Sequence, residues 1–464
     1  MESTVSQNKN FENNLESSIQ IFFKRFRIRS FLNRSHFVKT KGASCSAIFK
    51  FLFTIVFKQK SFCQIMNSSK TSPEFERDVV YRFLNSVSHN WEKFLSLLSS
   101  FVIQAFLFPL TDKNRVNVLI VDDSLLTRNR SKKVELLSRV HDHVTNTFKK
   151  GFKILTLGWS DGSTFIPLSF RILSSAKKRN LLCPANNKID NRTNAAKRRA
   201  FARKKATDTM IDLIKNAIKY SIPAQYVLFD SWFSFPSILK KIILLKRHVV
   251  ARVKAHYRVF YEYNGRSFNL TNLYAHLRKK RGRAKIITSA IVQIGKYGNN
   301  KPINARIVFV REKNSKRNWA AFISTDLSLN DSEIIRIYGK RWSIEVFFKI
   351  CKSYLALAKE FQGRSYDLMV GHSTIVFTRY IMLAVNQRNV TDNRTIGELF
   401  HSCIDEIADI QFLDALKLIF QLLKKALKKV LILSEAVMNA LLDEFMESLP
   451  PYFMPKPRLS FCET

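Results

Sequence analysis

Two kinds of hydrophobic pattern alternate along the chain. Through residues 15–105, apolar side chains recur at the three- and four-residue spacing typical of amphipathic helices. Between residues 116 and 325, shorter apolar runs rich in β-branched residues are separated by polar turns, which predicts strands. Helical spacing returns at Ser332 and continues to about Leu449. The helical segments predicted in the first region are Ile19–Phe31, Ala47–Phe57, Glu74–Asn85 and Trp91–Phe106.

The strongest strand predictions end in acids or in a turn. The run V-N-V-L-I-V-D-D-S at Val116–Ser124 ends in Asp122 and Asp123, and a second apolar run ends in Asp230. Phe152–Leu173 is predicted to be a hairpin, because two apolar runs flank a D-G turn.

This order of elements predicts an α/β fold, with a block of antiparallel strands inserted into the core and helical regions on both sides. The N-terminal region carries R-F-R-I-R and K-T-K. It is interpreted as a DNA-contacting domain, or else as a bundle that caps the core with a solvated basic face. The predicted boundaries are a helical N-terminal DNA-binding region at 1–110, the first part of the core at 111–245, a β-rich insertion at 246–328, the second part of the core at 329–390 and a helical C-terminal region at 391–464.

The amino-acid composition indicates which class of partner the protein binds. The 464-residue chain has a formal net charge of +41 and a pI of about 10.2, yet 46% of it is hydrophobic, which excludes a disordered chain. Such an excess of cations points to a polyanion, with nucleic acid ahead of an anionic membrane surface. Residues 177–205 hold eleven Lys and Arg and one acid. This block is interpreted as a DNA-facing loop, or otherwise as a solvated linker.

The cellular location is predicted from the signal peptide, membrane-span and cysteine patterns of the sequence. The first residues do not show the basic and then apolar order of a secretory signal, and the apolar runs near Phe101 and Leu418 fall short of the roughly 20 residues of a membrane span. The six cysteines are scattered without a C-x-x-C pair. The expectation is a protein with reduced thiols in the cytoplasm, associated with the nucleoid and not with a membrane.

Candidate chemistry begins with the acids at the strand ends. Ligand-binding and catalytic groups of open α/β sheets tend to lie just past such ends. Aspartates are also common turn formers and helix caps, so Asp122, Asp123 and Asp230 alone do not decide between the two roles.

A predicted helix that is rich in lysine and arginine contains another candidate acid, Glu345. If Tyr338–Lys352 is one helix, Tyr338, Arg341, Glu345, Lys349 and Lys352 fall within an arc of roughly 80° beside an apolar face. A solvated ladder of ion pairs is the alternative, but a ladder does not account for Tyr338 or the surplus positive charge. Three carboxylates suit Mg²⁺, and two such ions about 4 Å apart can run a phosphodiester attack.

The spacing Y-x-x-R-x-x-x-E-x-x-x-x-x-x-K, formed by Tyr338, Arg341, Glu345 and Lys352, resembles the signature of DDE transposases of the insertion-sequence-4 type. V-D-D-S and L-F-D-S-W-F-S look like the strands that carry the first and second aspartates of that family. The resemblance implies an RNase H-like mixed-sheet catalytic core with a β-rich insertion. It also implies cleavage at terminal inverted repeats and joining of the ends to target DNA, with Mg²⁺ or Mn²⁺ at a two-metal site.

The resemblance also assigns residues and partners. Double-stranded DNA and a homodimer that holds two transposon ends are the implied partners. Asp123 is the alternative to Asp122, because neighbouring residues of a strand face opposite ways. The implied metal ligands and catalytic residues are Asp122, Asp230 and Glu345. The DNA contacts implied or inferred from the shared helix face are Tyr338, Arg341, Lys349, Lys352 and Trp319, the last as a stacking partner for a flipped base or else as a strand-core aromatic.

Two other functions remain open at this stage. One is a DNA-binding derivative of the same fold that has lost catalysis, and the other is a metal-dependent nuclease that does not transfer strands. The presence of all three acids argues against the first of these.

Overall fold

A mixed sheet of eleven strands runs through the described part of the chain. The structure is a computed structural model that describes residues 18–405 apart from 69–72, 112–114, 143–144, 281–283, 296–301, 313–317, 362 and 389–394, and a few single residues after 405. The predicted C-terminal helical region therefore lies mostly outside the described residues.

The N-terminal helices form where the apolar spacing predicts them. Their buried faces are rich in phenylalanine, and they pack into the same hydrophobic core as the sheet. The first predicted segment is two helices, because Arg27 adopts a left-handed backbone conformation with φ of 51° and separates them. The six helices are α1 (Ser18–Arg25), α2 (Ile28–Arg34), α3 (Cys45–Thr54), α4 (Phe62–Met66), α5 (Arg77–Leu84) and α6 (Trp91–Val102).

The strands of the core are β1 (Val118–Thr127), β2 (Ser138–Asp142), β3 (Thr147–Ser160), β4 (Phe165–Leu173), β5 (Tyr226–Phe229) and β6 (His248–Val253), and its crossover helices are α7 (Asn194–Ala202), α8 (Ala206–Lys219) and α9 (Pro236–Leu244). The core of the sheet has the order β4-β3-β1-β5-β6. β1, β5 and β6 are parallel, and β3 is antiparallel to both β1 and β4. This mixed arrangement is the one expected of an RNase H-like core.

The β-rich insertion continues the core sheet. Its last strand pairs with β6 in antiparallel register, with Ala321 beside Val253, so both parts share one ladder of hydrogen bonds. The predicted mixed α/β fold with a β-rich insertion is confirmed, while the exact domain boundaries stay predictions. The insertion comprises β7 (Tyr261–Tyr263), β8 (Arg266–Phe268), α10 (Leu270–His276), β9 (Ile286–Ile294), β10 (Ile303–Arg311) and β11 (Trp319–Ser324).

The helices α11 (Asp331–Gly339), α12 (Trp342–Ser353) and α13 (Tyr366–Gln387) follow the insertion. Residues 396–405 are helical as well. Among the described helices, α13 alone is long and apolar enough to cross a membrane by length and composition. Every residue from Tyr366 to Asn386 is buried within the protein, which is the environment of a core helix.

The basic block of residues 177–205 is in part structural. Arg198 and Arg199 lie on α7, and both form ion pairs with Asp367 of α13. Arg199 also binds Glu135, with 2.6 Å between Nε and Oε1. The interpretation of this block as a DNA-facing loop or linker is wrong for these two residues, because buried acids distant in sequence bind them.

The predicted hairpin is present as β3 and β4, and a buried acid fixes its turn. Asp161 Oδ1 accepts hydrogen bonds from the backbone N–H groups of Ser163 and Thr164, each at 2.9 Å. Its Oδ2 accepts a bond of 2.7 Å from Arg388. Burial acts to raise the pKa of Asp161, but these donors outweigh burial and lower it.

We expect Asp161→Asn to reduce the free energy of unfolding by about 2 kcal/mol at pH 7, the usual value of hydrogen bonds to a charged group. Because the folded pKa of Asp161 is lowered, its stabilisation is present above the unfolded pKa of about 4 and is lost as the pH falls. Urea denaturation at pH 7 and at about pH 2.5, which is below the unfolded pKa, measures this. A difference between parent and variant that stays constant with pH would contradict the assignment.

Candidate active site

Two aspartates come together where β1 and β5 cease to pair. The prediction that the first strand ends at Asp122 and Asp123 is wrong, because β1 stays paired with β3 as far as Thr127. β1 and β5 are parallel, and Ile120 lies beside Leu228. Asp122 and Asp230 each follow two residues later, so both carboxylates leave the same edge of the sheet about one strand spacing apart. A turn after β5 orients Asp230, whose Oδ1 accepts a hydrogen bond of 3.0 Å from the backbone N–H of Trp232.

Helix α12 approaches the face of β1 that carries Asp122. Arg341 Nη1 lies 3.0 Å from Asp122 Oδ2, and Nη2 of the same guanidinium is hydrogen-bonded to Glu345 Oε1. Lys352 Nζ donates a bond of 2.7 Å to Ser124 Oγ, two residues after Asp122 and on the same face of the strand. Arg341 thus joins Glu345 to Asp122.

Asp123 faces the other side of β1. Its Oδ2 lies 2.9 Å from Lys153 Nζ on the neighbouring strand β3. In the antiparallel register Asp123 lies opposite Leu155, so Lys153 is its diagonal neighbour on that face. The two adjacent aspartates therefore have different cationic partners.

Although Asp122 and Asp123 have different partners, both line one cavity of about 470 Å³ together with Asp230. Asp123 is therefore close enough to Asp230 for its charge to raise the pKa of Asp230. Glu345 lies outside the described lining of this cavity, because its carboxylate is turned to Arg341. The cavity is lined by Asp122, Asp123, Lys153, Asp230, Ser231, Trp232, Phe233, Ser234, Phe235, Lys254, His256 and Val259.

The pKa values of the aspartates are shifted because these side chains are buried and close to one another. Burial raises the pKa of Asp122 to about 7, opposed by Arg341 and reinforced by the negative charges of Asp230 and Asp123. Burial likewise raises the pKa of Asp230, with a contribution from Asp123. Burial acts to lower the pKa of Arg341, but Tyr338, Asp122 and Glu345 outweigh burial and raise it. Buried acids that repel one another are typical of sites that bind cations.

Comparison with protein families gives one match. A family model described as DDE superfamily endonuclease matches residues 54–293, just over half of the chain. This chain belongs to the DDE superfamily endonuclease family. The matched segment of this DDE superfamily member contains Asp122, Asp123 and Asp230 and ends before Glu345.

Comparison with curated proteins finds no match. Among solved structures, this DDE superfamily member is similar to the cryo-EM structure of the piggyBac transposase synaptic complex with hairpin DNA. The two are 13% identical with a TM-score of 0.46, over 94% of this chain and 86% of that one.

The carboxylate oxygens of these acids are suitable ligands for a divalent metal ion. Carboxylate oxygens are the ligands that Mg²⁺ and Mn²⁺ prefer, and the repulsion between Asp122 and Asp230 is what a bound cation relieves. Within the described residues, no group of three His, Cys, Asp or Glu side chains is gathered closely enough to hold one ion. Arg341 separates Glu345 from the aspartates in this conformation.

The prediction of one helix from Tyr338 to Lys352 is wrong. Helix α11 ends at Gly339, and α12 begins at Trp342. Between them the backbone N–H groups of Lys340 and Arg341 bond to carbonyls three residues earlier, which tightens the chain and changes the angular offset of Tyr338. Glu345, Lys349 and Lys352 still share α12.

The predicted DNA-contacting residues occupy different environments. Tyr338 packs against Phe322, with 4.7 Å between ring centroids. Lys349 is exposed, whereas Lys352 is half-buried and bound to Ser124. The ring of Trp319 is stacked on Tyr274 at 4.7 Å, which favours the alternative that it is a strand-core aromatic.

Sequence reasoning did not find Lys153 or Ser124 as members of this site. Lys153 reaches Asp123 only through the register of β1 against β3, and Ser124 is identified only by its bond to Lys352. The alternation of a strand places Ser124 on the face of Asp122, which is the one signal the sequence offers.

Proposed function

We propose that this protein is the DNA transposase of an insertion sequence of the insertion-sequence-4 type, which cleaves DNA at terminal inverted repeats and transfers the ends into target DNA. The observation that carries the proposal is that Asp122 on β1 and Asp230 just after β5 converge with α12, which brings Glu345 to the same face of β1. The membership in the DDE superfamily endonuclease family supports DNA cleavage as the chemistry.

In this proposal Asp122, Asp230 and Glu345 hold Mg²⁺ or Mn²⁺. The bound ions would supply an activated water and stabilise the leaving oxygen of the phosphodiester. Asp122 is preferred to Asp123 because it faces α12, while Asp123 binds Lys153 on the other face. For Glu345 to join the aspartates, the guanidinium of Arg341 leaves its position between them and becomes available to a DNA phosphate.

Double-stranded DNA is the proposed partner, as both transposon end and target. The net charge of +41 supports binding of a polyanion. Two DNA ends have to be held together for joining, so we propose a homodimer in the complex with DNA. We propose the cytoplasm, at the nucleoid, as the place where it acts.

The test uses the purified full-length chain, Mg²⁺ and DNA that contains the inverted repeats flanking its own gene. Cleavage at the repeat boundary and covalent joining to a target plasmid are the expected products, and both should disappear in EDTA. Binding without cleavage would instead indicate a catalytically inactive DNA-binding derivative. Cleavage without joining would indicate a nuclease without strand transfer.

Lys349 offers a separate prediction about DNA binding. It is exposed on α12 one turn after Glu345, where a phosphate of the bound strand would lie. We expect Lys349→Ala to weaken binding of all sequences alike and to reduce the slope of log affinity against log salt by about 1. Filter binding between 50 and 200 mM salt measures this slope.

The matched control is Lys219→Ala. Lys219 is exposed at the end of α8, which leads into the start of β5, whereas Asp230 follows the end of that strand. We expect its salt slope to equal that of the parent. Equal slopes for parent and Lys349→Ala would contradict the role of Lys349.

A further inference from the structure

Lys340 ties the helix that carries Glu345 to the core sheet. It lies between α11 and α12, one residue before Arg341. Its Nζ donates a bond of 2.6 Å to the backbone carbonyl of Val116 and another of 3.1 Å to that of Asp161. Lys340 stands at an unspecified position of the Y-x-x-R spacing, so the resemblance gives it no role.

Both carbonyls lie at the same end of the strand pair that carries the first aspartate. Val116 stands two residues before β1, and Asp161 directly follows β3. The last residue of β3, Ser160, pairs with Val118, the first residue of β1. Lys340 therefore attaches the junction of the two helices to the beginning of β1.

Arg341 attaches the same junction to a second place on β1. Its Nη1 lies 3.0 Å from Asp122 Oδ2. Asp122 is six residues beyond Val116, which is about 20 Å of extended chain. The neighbouring side chains of Lys340 and Arg341 thus hold β1 at two separate points. A single contact allows a helix to turn about it, whereas two contacts fix its position and its direction along the strand.

The apolar contacts of α12 are less specific. Its buried face packs on the core, where the ring centroid of Phe347 lies 5.0 Å from that of Phe165. Hydrophobic contact has no preferred direction, so it determines that α12 lies on the sheet more than where along the sheet it lies. Hydrogen bonds have preferred distances and angles, and two bonds to fixed carbonyls select one position.

The environment of Lys340 shows that these bonds compensate a cost. Lys340 is half-buried, and burial lowers its pKa together with the positive charges of Arg336 and Arg115. A buried cation beside other cations is unfavourable unless it is bound. The two carbonyls bind it, and the negative charge of Asp161 acts in the same favourable direction.

The attachment through Lys340 matters most when the metal site forms. In the proposed function the guanidinium of Arg341 leaves Asp122 and turns to a DNA phosphate, so one of the two attachments is lost. At that same stage Glu345 has to reach the aspartates. The bonds of Lys340 are made to backbone carbonyls, so they persist while Arg341 moves.

We infer that Lys340 is a positioning residue of the metal site, which holds α12 against β1 so that Glu345 reaches Asp122 and Asp230. The inference rests on the proposed function for the identity of that site. Lys340 contacts neither the ion nor DNA in this role. Its effect passes through the junction of α11 and α12 to the carboxylate of Glu345, five residues further along the chain.

The experiment measures Mn²⁺ binding by the full-length protein without DNA, so that binding is observed apart from cleavage. Electron paramagnetic resonance gives the affinity, because free aqueous Mn²⁺ has a sharp signal that is lost on binding. We expect Lys340→Met, which keeps the length of the side chain but removes the donor, to weaken Mn²⁺ binding by on the order of tenfold, as other losses of groups that orient metal ligands do.

Lys340→Gln is measured as well, since its amide still donates to a carbonyl. It should weaken Mn²⁺ binding by a smaller factor than Lys340→Met, and it keeps the comparison available if Lys340→Met does not fold. Far-UV circular dichroism establishes that each variant is folded.

Arg388→Met is the matched control. Arg388 binds the side chain of Asp161 at the same turn, with 2.7 Å between Nη2 and Oδ2, but it follows α13 and is not at the junction. Its Mn²⁺ affinity should equal that of the parent. A second control combines Lys340→Met with Glu345→Gln. It should bind Mn²⁺ as Glu345→Gln does, because the ligand that Lys340 positions is already absent.

Parental Mn²⁺ affinity in folded Lys340→Met and Lys340→Gln would overturn the inference. An equal loss in Arg388→Met, or the same tenfold loss in the Glu345→Gln background, would overturn it as well. These results leave the proposed function intact, since that is tested by cleavage and joining. Parental affinity in Glu345→Gln, or no Mn²⁺ binding by the parent, would instead remove the proposed metal site and the role of Lys340 with it.

Discussion

Replacing Asp122 with asparagine is expected to lower the rate of Mg²⁺-dependent DNA cleavage by on the order of a thousandfold, because the charge stabilisation that a bound ion provides is worth several kcal/mol. Asparagine keeps the size of the side chain but removes the charge that attracts the cation. Asp123→Asn is the matched variant, one residue away on the opposite face. We expect it to retain most of the activity, because the carboxylate of Asp123 binds Lys153 and faces away from α12.

Single-turnover cleavage of an end-labelled DNA fragment measures both rates, and binding of the same fragment in EDTA shows that each variant is folded and competent to bind. The reverse result, with Asp123→Asn inactive and Asp122→Asn active, would make Asp123 the first ligand. Full activity in both variants would contradict a metal site on β1.

The second large effect concerns stability, and its centre is Arg379 on α13. This side chain is fully buried. Its guanidinium forms two bonds of 3.0 Å to the carboxylate of Glu360. It also donates to the backbone carbonyls of Leu52, Phe53 and Leu355, so it ties α3 and the segment after α12 to the core helix.

We expect Arg379→Met to reduce the free energy of unfolding by about 3–5 kcal/mol, because it leaves the buried Glu360 without its main counter-charge. Arg82→Met is the control, since Arg82 pairs with Asp78 on the surface, where an ion pair contributes at most about 1 kcal/mol. Urea denaturation of both variants at pH 7 gives the two values. Similar small losses in both would contradict a structural role for the buried pair.

The stability that Glu360 contributes through its pairing with Arg379 should change with pH in a predictable direction. Burial acts to raise the pKa of Glu360, but Arg379 and His372 outweigh burial and lower it. Its stabilisation is therefore present above the unfolded pKa of about 4.3 and is lost as the pH falls through the lower folded value. The difference between parent and Arg379→Met should narrow on acidification.

Local patterns predicted the parts of the fold that depend on nearby residues. The apolar runs that end at Asp122 and Asp230 are strands, and the D-G turn joins β3 to β4 with Gly162 at a φ of 98°. Each of these features needs only the residues around it, because alternation, β-branching and turn chemistry act over a few positions.

Long-range pairing could not be predicted in this way. The register that places β1 against β5 and β3 decides which aspartate faces α12, and it is set by contacts between segments far apart in the sequence. The same limit applies to Arg199, which counts as one of many cations in the sequence and is bound to Glu135 and Asp367 in the structure.

Two features of the structure have causes that the sequence pattern does not show. The periodicity of the segment that begins at Tyr338 continues through Lys340 and Arg341, so it conceals the junction of two helices at that point. The exposure of Trp319 depends on Tyr274, which the insertion places against its ring. The spacing of residues along the sequence does not show where a helix is interrupted or which distant side chain packs against a ring.

In the proposed function, Glu345 acts with Asp122 and Asp230 as one metal site that cuts DNA. The most direct measurement is the rate of Mg²⁺-dependent strand cleavage by Glu345→Gln on DNA that the variant still binds. We predict parental affinity for the DNA in EDTA and a cleavage rate lower by on the order of a thousandfold. Cleavage at the parental rate by a variant that binds normally would contradict the claim.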